Sequence, residues 1–168
     1  KIVGIVDNKL FGKKRLRYGY PILGNDSDLI KLSKKYKNAF VAVGQIKTPS
    51  IRINIYESLK KLGFETSTII SQNSYVSSRS EISEGTIVMH GCIINAGVKI
   101  LKNCIINNHC LIDHGSLIES HCHISTGVKV NGNCLIGQGS FIGSGAIIFQ
   151  DSKVLPNSII PAGTVIKS

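Results

Sequence analysis

The stretch DHGSLIESHCH, residues 113–123, carries three histidines, a cysteine and an aspartate. Side chains of these types support two kinds of chemistry. Imidazole and thiolate at short spacing bind zinc. An imidazole within hydrogen-bond reach of a reacting group takes its proton near neutral pH. Which applies depends on which side chains share a face, and therefore on the elements that carry them.

Those elements follow a six-residue period. Every sixth residue from Val76 to Ile166 is Ile or Val, although the two types together make up about one residue in eight of ordinary proteins. Three residues after each comes Arg79 and then only Gly, Asn, His or Asp, the types enriched at positive φ. Four residues after each comes Ser, Thr, Ala, Val or Cys, small enough for an interior corner. This is the hexapeptide repeat of a parallel β-helix over residues 73–168. Cys92, Cys104, Cys110, Cys122 and Cys134 all occupy the small slot, so they read as reduced core filler rather than ligands or disulfides. His109 and His121 fall in the turn slot; for His109 chemistry and architecture are equally open readings. His90 and His114 stand two residues after an Ile or Val, and His123 directly precedes Ile124. The repeat requires neither His114 nor His123, which makes both candidates for chemistry.

Residues 1–72 read differently. KIVGIVD, AFVAVG and FETSTII are strand-like runs, and NDSDLIKLSKKY and TPSIRINIYESLKKLG are helix-like. Asn25 or Asp26 is the expected N-cap of the first helix. The second has Thr48 to cap, Pro49 in the first turn, Gly63 at the stop and an apolar face of Ile51, Ile55, Leu59 and Leu62. The alternation predicts a small α/β domain with a parallel sheet. Charge is concentrated here: residues 1–75 hold 14 Lys/Arg against 5 Asp/Glu, and residues 76–168 hold 6 against 5. A basic half attracts phosphate-bearing ligands, but no nucleic-acid motif accompanies it, so no nucleic-acid partner is expected. No apolar run is long enough to span a membrane. The opening KIVGIVDNKL reads as a strand rather than a signal peptide, which points to the cytoplasm.

With these motifs in place, the chain resembles the sialic-acid O-acetyltransferase type of hexapeptide-repeat acyltransferase, a group that includes bacterial N-acetyltransferases of UDP-4-amino sugars. VGIVDNK, FVAVGQIKTPSIRINIYESLKKLGF and the DH…CHISTG segment carry the resemblance over essentially the whole chain. It implies a Rossmann-like N-terminal domain over 1–72, here lacking its first strand and Gly-rich loop, followed by a left-handed β-helix over 73–168. It implies a homotrimer with acetyl-CoA between neighbouring subunits, no metal, and a sugar or nucleotide-sugar acceptor in surface-glycan biosynthesis. His114 becomes the general base; many members place an acidic residue where this chain has Gly115, so either Asp113 substitutes for it or the base is less strongly assisted. His123 aligns with the residue that binds the acetyl carbonyl, Gly132 with an oxyanion-stabilising backbone N–H, and Ser144 lies on the same acyl-donor side. Asp7, Asn8, Lys9, Gly44 and Arg52 fall where the family contacts the nucleotide-sugar.

Two other readings compete. HCLIDHG places His109 and His114 as in γ-class carbonic anhydrases, with His90 the candidate third zinc ligand, although the α/β domain has no place in that family. The β-helix could instead be a non-catalytic trimeric scaffold, in which His114 and His123 are ordinary surface or interface residues.

Overall fold

The computed structural model describes residues 1–167. The chain divides into two compact units, Lys1–Ala39 with Ser58–Glu65, and Phe40–Glu57 with Thr66 onward.

The first unit does not assemble the expected parallel sheet. Its larger sheet has β1 (Ile5–Val6), β2 (Leu16–Arg17) and β3 (Tyr20–Gly24), in the order β1-β3-β2. β1 runs parallel to β3, and β2 forms an antiparallel hairpin with it. That hairpin falls in FGKKRLRYGY, where no strand was expected. Its turn contains Tyr18 and Gly19, both at positive φ. The predicted first helix shrinks to a 3-10 turn at Asp26–Asp28 and α1 (Leu29–Ser33). Asn25 caps it, its side chain accepting the Ser27 N–H at 3.0 Å.

The second unit is built on the repeat. Strands of two residues stack into three parallel sheets, running from Ile69–Ile70 to Ile159–Ile160, from Tyr75–Val76 to Val165–Ile166, and from Glu81–Ile82 to Lys153–Val154. Every pairing joins residues eighteen apart, such as Ile93 with Leu111 and Ile106 with Ile124, so three hexapeptides make one coil. The arrangement is consistent with a left-handed β-helix. From Gly85 onward each turn-slot residue has positive φ, including Asn103, His109, His121 and Asn133, while Arg79 does not. The Ile and Val of the repeat and the small residues four positions later fill the interior.

Two strands expected in the N-terminal domain form only in part, Asn38–Ala39 pairing with Glu65–Thr66 as a two-stranded sheet. Ile69–Ile70 is the first strand of a coil and pairs with Ile87–Val88; Ile70 is in register with the repeat, six residues before Val76. Of AFVAVG, only Ala39 is in a strand, β4 (Asn38–Ala39). The carbonyls of Val41 and Val43 accept from Arg52 Nη1 at 2.7 and 2.9 Å, where a sheet would have given them to a neighbouring strand. Helix α2 (Ser50–Lys61) keeps its predicted ends: Thr48 Oγ1 accepts the Ser50 N–H, and Gly63 has φ +82°. Its buried residues are Arg52, Tyr56 and Leu59, however, and Ile51 is exposed. Apart from Leu59, which was expected on the buried face, the stripe turned inward is polar and aromatic because what it meets is polar. Tyr56 donates to Glu84 at 2.9 Å and stands edge-on to His121, with ring centroids 5.7 Å apart.

Candidate active site

His114 sits on the turn that leaves the strand Leu111–Ile112. Gly115, at φ +66°, makes that turn, and the His114 side chain is exposed. Asp113 holds the turn from one side. Its Oδ1 accepts the His114 backbone N–H at 2.7 Å and Asn95 Nδ2 at 2.8 Å. The Asn95 bond, followed by the His114 backbone bond, holds the Asp113 carboxyl below the ordinary carboxylate range. One coil further on lies Gly132. A Cβ built there would stand 2.5 Å from His114 Cε1 and 2.6 Å from Nε2, so glycine leaves room for the imidazole ring. His114, Asp113 and Gly132 thus form one group: an exposed imidazole on a glycine floor, with a fixed negative charge beside it.

His123 belongs to a different place in the coil. The strand Leu117–Ile118 and a further turn separate it from His114, and it opens the strand His123–Ile124. Its side chain is buried, 8% exposed, edge-on to Phe141 with centroids 5.1 Å apart. Nδ1 lies 2.6 Å from the backbone oxygen of Gln45. Burial lowers the imidazole pKa; the Gln45 carbonyl opposes that shift and the Arg52 charge adds to it. Ser144, exposed, shares a hydrogen bond of 2.9 Å with Ser125. A single chain therefore brings Asp113, His114 and Gly132 together and leaves His123 and Ser144 elsewhere.

The remaining candidates are divided between the two units. Asp7 caps its own loop, accepting the Lys9 and Leu10 N–H groups at 2.8 and 3.1 Å, and it pairs with Arg17 at 2.8 Å. Asn8 exchanges two hydrogen bonds with Asp26, and Lys9 is exposed. In the other unit Gly44 is exposed, with nothing within 4 Å of where a Cβ would be. Arg52 is 2% exposed and gives its hydrogen bonds to the carbonyls of Val41, Val43 and Asn103. Burial pulls its pKa down to about 10. Sequence reasoning missed Gln45, Asn95 and Asn107, whose partners lie sixteen or more residues away and leave no local signal.

His90 bonds Ser71 at 2.6 Å, and the His109 ring occupies the space beside Gly91. Among the described residues, no group of three or more His, Cys, Asp or Glu side chains is arranged to hold a metal ion. All five cysteines are free thiols and buried. No helix among the described residues is long and apolar enough to cross a membrane.

No protein-family model and no curated protein matches the sequence. Solved structures do. The acetyltransferase domain of PglB from Neisseria gonorrhoeae is 29% identical with a TM-score of 0.89, over 98% of this chain and 78% of that one. The same domain in complex with acetyl coenzyme A aligns at 28% identity and TM-score 0.84, over 98% and 82%. A histidine-to-asparagine mutant of perosamine N-acetyltransferase from Caulobacter crescentus, in complex with CoA and GDP-perosamine, gives 27% and 0.91, over 98% and 76%. These neighbours are bacterial sugar acetyltransferases, two of the structures holding acetyl-CoA or CoA. In repeat and fold alike, the chain is similar to these structures, which match the hexapeptide-repeat acyltransferase family.

Proposed function

We propose that the protein transfers the acetyl group of acetyl-CoA to the amine of a nucleotide-linked amino sugar, in the biosynthesis of a bacterial surface glycan. The observation that carries this reading is His114, exposed above Gly132 and next to the charged Asp113. His114 takes a proton from the acceptor nitrogen as that nitrogen bonds to the acyl carbon. The thioester C–S bond breaks, and the CoA thiolate leaves with a proton. Asp113 stabilises the imidazolium formed on the way, because its charge lies beside the ring. The Gly132 backbone, directly beneath the ring, supplies an N–H for the developing oxyanion. Asp7 and Asn8 hold the loop that presents Lys9, and in the other unit Arg52 ties down Val41 and Val43, next to Gly44.

His123 and Ser144 form the acyl-donor side. Because one chain leaves them away from His114, the complete site needs a second copy, and a homotrimer in the cytoplasm is the expected form. Light scattering should give three times the 18.2 kDa chain mass. The decisive experiment is mass-spectrometric detection of acetylated product across a panel of nucleotide-linked amino sugars and sialic acids. His114→Ala should lower turnover by about 10²–10⁴-fold while acetyl-CoA binding persists. Near wild-type turnover in that variant, with every acceptor, removes His114 as the base.

A further inference from the structure

His123 is enclosed by partners that leave it one protonation state. The atom 2.6 Å from Nδ1 is the backbone oxygen of Gln45, which can only accept, so Nδ1 carries a proton. On the other side, Nε2 lies 3.4 Å from Asn107 Nδ2. The orientation of that amide is settled independently, because Asn107 Oδ1 accepts the Asn108 N–H at 2.8 Å. Its NH2 group therefore faces the ring, and Nε2 must be a lone pair. A proton on Nε2 would meet the amide's own N–H. Both ends specify the neutral Nδ1–H tautomer, and burial favours the uncharged ring as well.

The Gln45 carbonyl is itself held in place. Gln45 is 3% exposed, and its Nε2 donates to the Gly139 carbonyl at 3.1 Å, which ties residue 45 to the coil. Its Oε1 is buried with no hydrogen-bond partner, so the side chain is kept for its donor. The preceding segment is fastened by Arg52 at Val41 and Val43.

We infer that Gln45 is a positioning residue that fixes His123 as the Nδ1–H tautomer, so that His123 offers Nε2 as a hydrogen-bond acceptor to an amide N–H of the acyl donor's pantetheine arm. This rests on the acetyl-CoA reading above and reverses the direction of the bond expected from the sequence, in which His123 donates to the acetyl carbonyl. The Asn107 contact at 3.4 Å is long for N–H···N, so a better-placed amide displaces it at little cost.

The test is nitrogen NMR of isotope-labelled histidine in the full chain, alongside steady-state kinetics. Wild-type His123 should show a protonated Nδ1 and an unprotonated Nε2 at neutral pH. Gln45→Met keeps the side-chain volume, removes the donor to Gly139 and discards the unpartnered Oε1. His123 should then populate both tautomers, and KM for acetyl-CoA should rise about threefold to tenfold, the worth of one ordinary hydrogen bond. KM for the acceptor and kcat should stay put, whereas general structural damage would change them as well. A proton on Nε2 of wild-type His123 overturns the assignment, and so does a Gln45→Met protein with unchanged tautomer and unchanged KM. If no acceptor is acetylated at all, the proposed function fails on its own, and the tautomer in the free protein still decides the role of Gln45.

Discussion

The imidazole of His114 and the missing side chain of Gly132 are two halves of one feature. Gly132 does not have the positive φ that would demand glycine, so its backbone accepts alanine without strain. What an alanine methyl displaces is the ring of His114. Gly132→Ala should therefore keep its fold and lose about 10²-fold in turnover, the scale set by a displacement of about 1 Å at a reacting group. Thermal melting beside product formation checks this, and a large drop in Tm with normal turnover would contradict it. Gly115 is the opposite case. It has φ +66°, and a Cβ there would run into Asn133 Oδ1. Restoring an acidic neighbour with Gly115→Glu should cost about 1–2 kcal/mol in the left-handed backbone. Gly115→Asn should cost less, because Asn103, Asn133 and Asn157 already occupy this slot at φ 56–58°.

The coil explains at the level of the element why cysteine and serine alternate in one slot. Cys92, Cys104, Cys110, Cys122 and Cys134 place Sγ 2.9–3.2 Å from the carbonyl oxygen fifteen residues on. Thr86, Ser116 and Ser140 donate to the same carbonyl position at 2.8–3.0 Å. The hydroxyls of Ser116 and Thr86 also accept the N–H one coil above, from Cys134 and Cys104. Cys104→Ser should accordingly keep activity and stay within about 1 kcal/mol in a urea titration, whereas Cys104→Leu overfills the corner and costs about 1–3 kcal/mol. The slot and its small, inward-facing occupants were legible in the sequence, because a six-residue period writes each slot many times; the hydrogen bonds were not. The N-terminal strands were legible only in part: KIVGIVD does hold β1, but β2 and the fate of AFVAVG left no such signal. Val41 and Val43 look like sheet residues, but their carbonyls are claimed by an arginine nine and eleven residues away. An apolar run does not record where its hydrogen bonds go. The same blindness hid Gln45, whose carbonyl meets a ring 78 residues on.

For the molecule as a whole, the buried imidazoles set a pH limit on stability. His121 and His123 both have lowered pKa values. For His121, burial is the largest cause and Lys102 and Arg52 add to it, while Glu57 opposes. For His123, burial again leads. The unfolded chain binds protons at these residues below about pH 6.5, before the folded protein does. Their contribution is therefore fully present above that pH and is lost as pH falls through the lower folded values. The carboxyls of Asp7 and Asp113 are also lowered, but their stabilisation is lost only below the ordinary carboxylate range, about pH 4. Net charge is a second source of acid sensitivity, since the chain already carries +10 at pH 7 and self-repulsion grows as pH falls. Salt separates the two, because it screens repulsion between exposed charges and leaves buried titration almost untouched. The urea midpoint should fall between pH 7 and pH 5 at high salt as well as low. His121→Asn, which suits the left-handed slot and keeps a side chain able to bond Asn103, should flatten that fall. A variant with the wild-type pH dependence would assign the loss to surface charge instead.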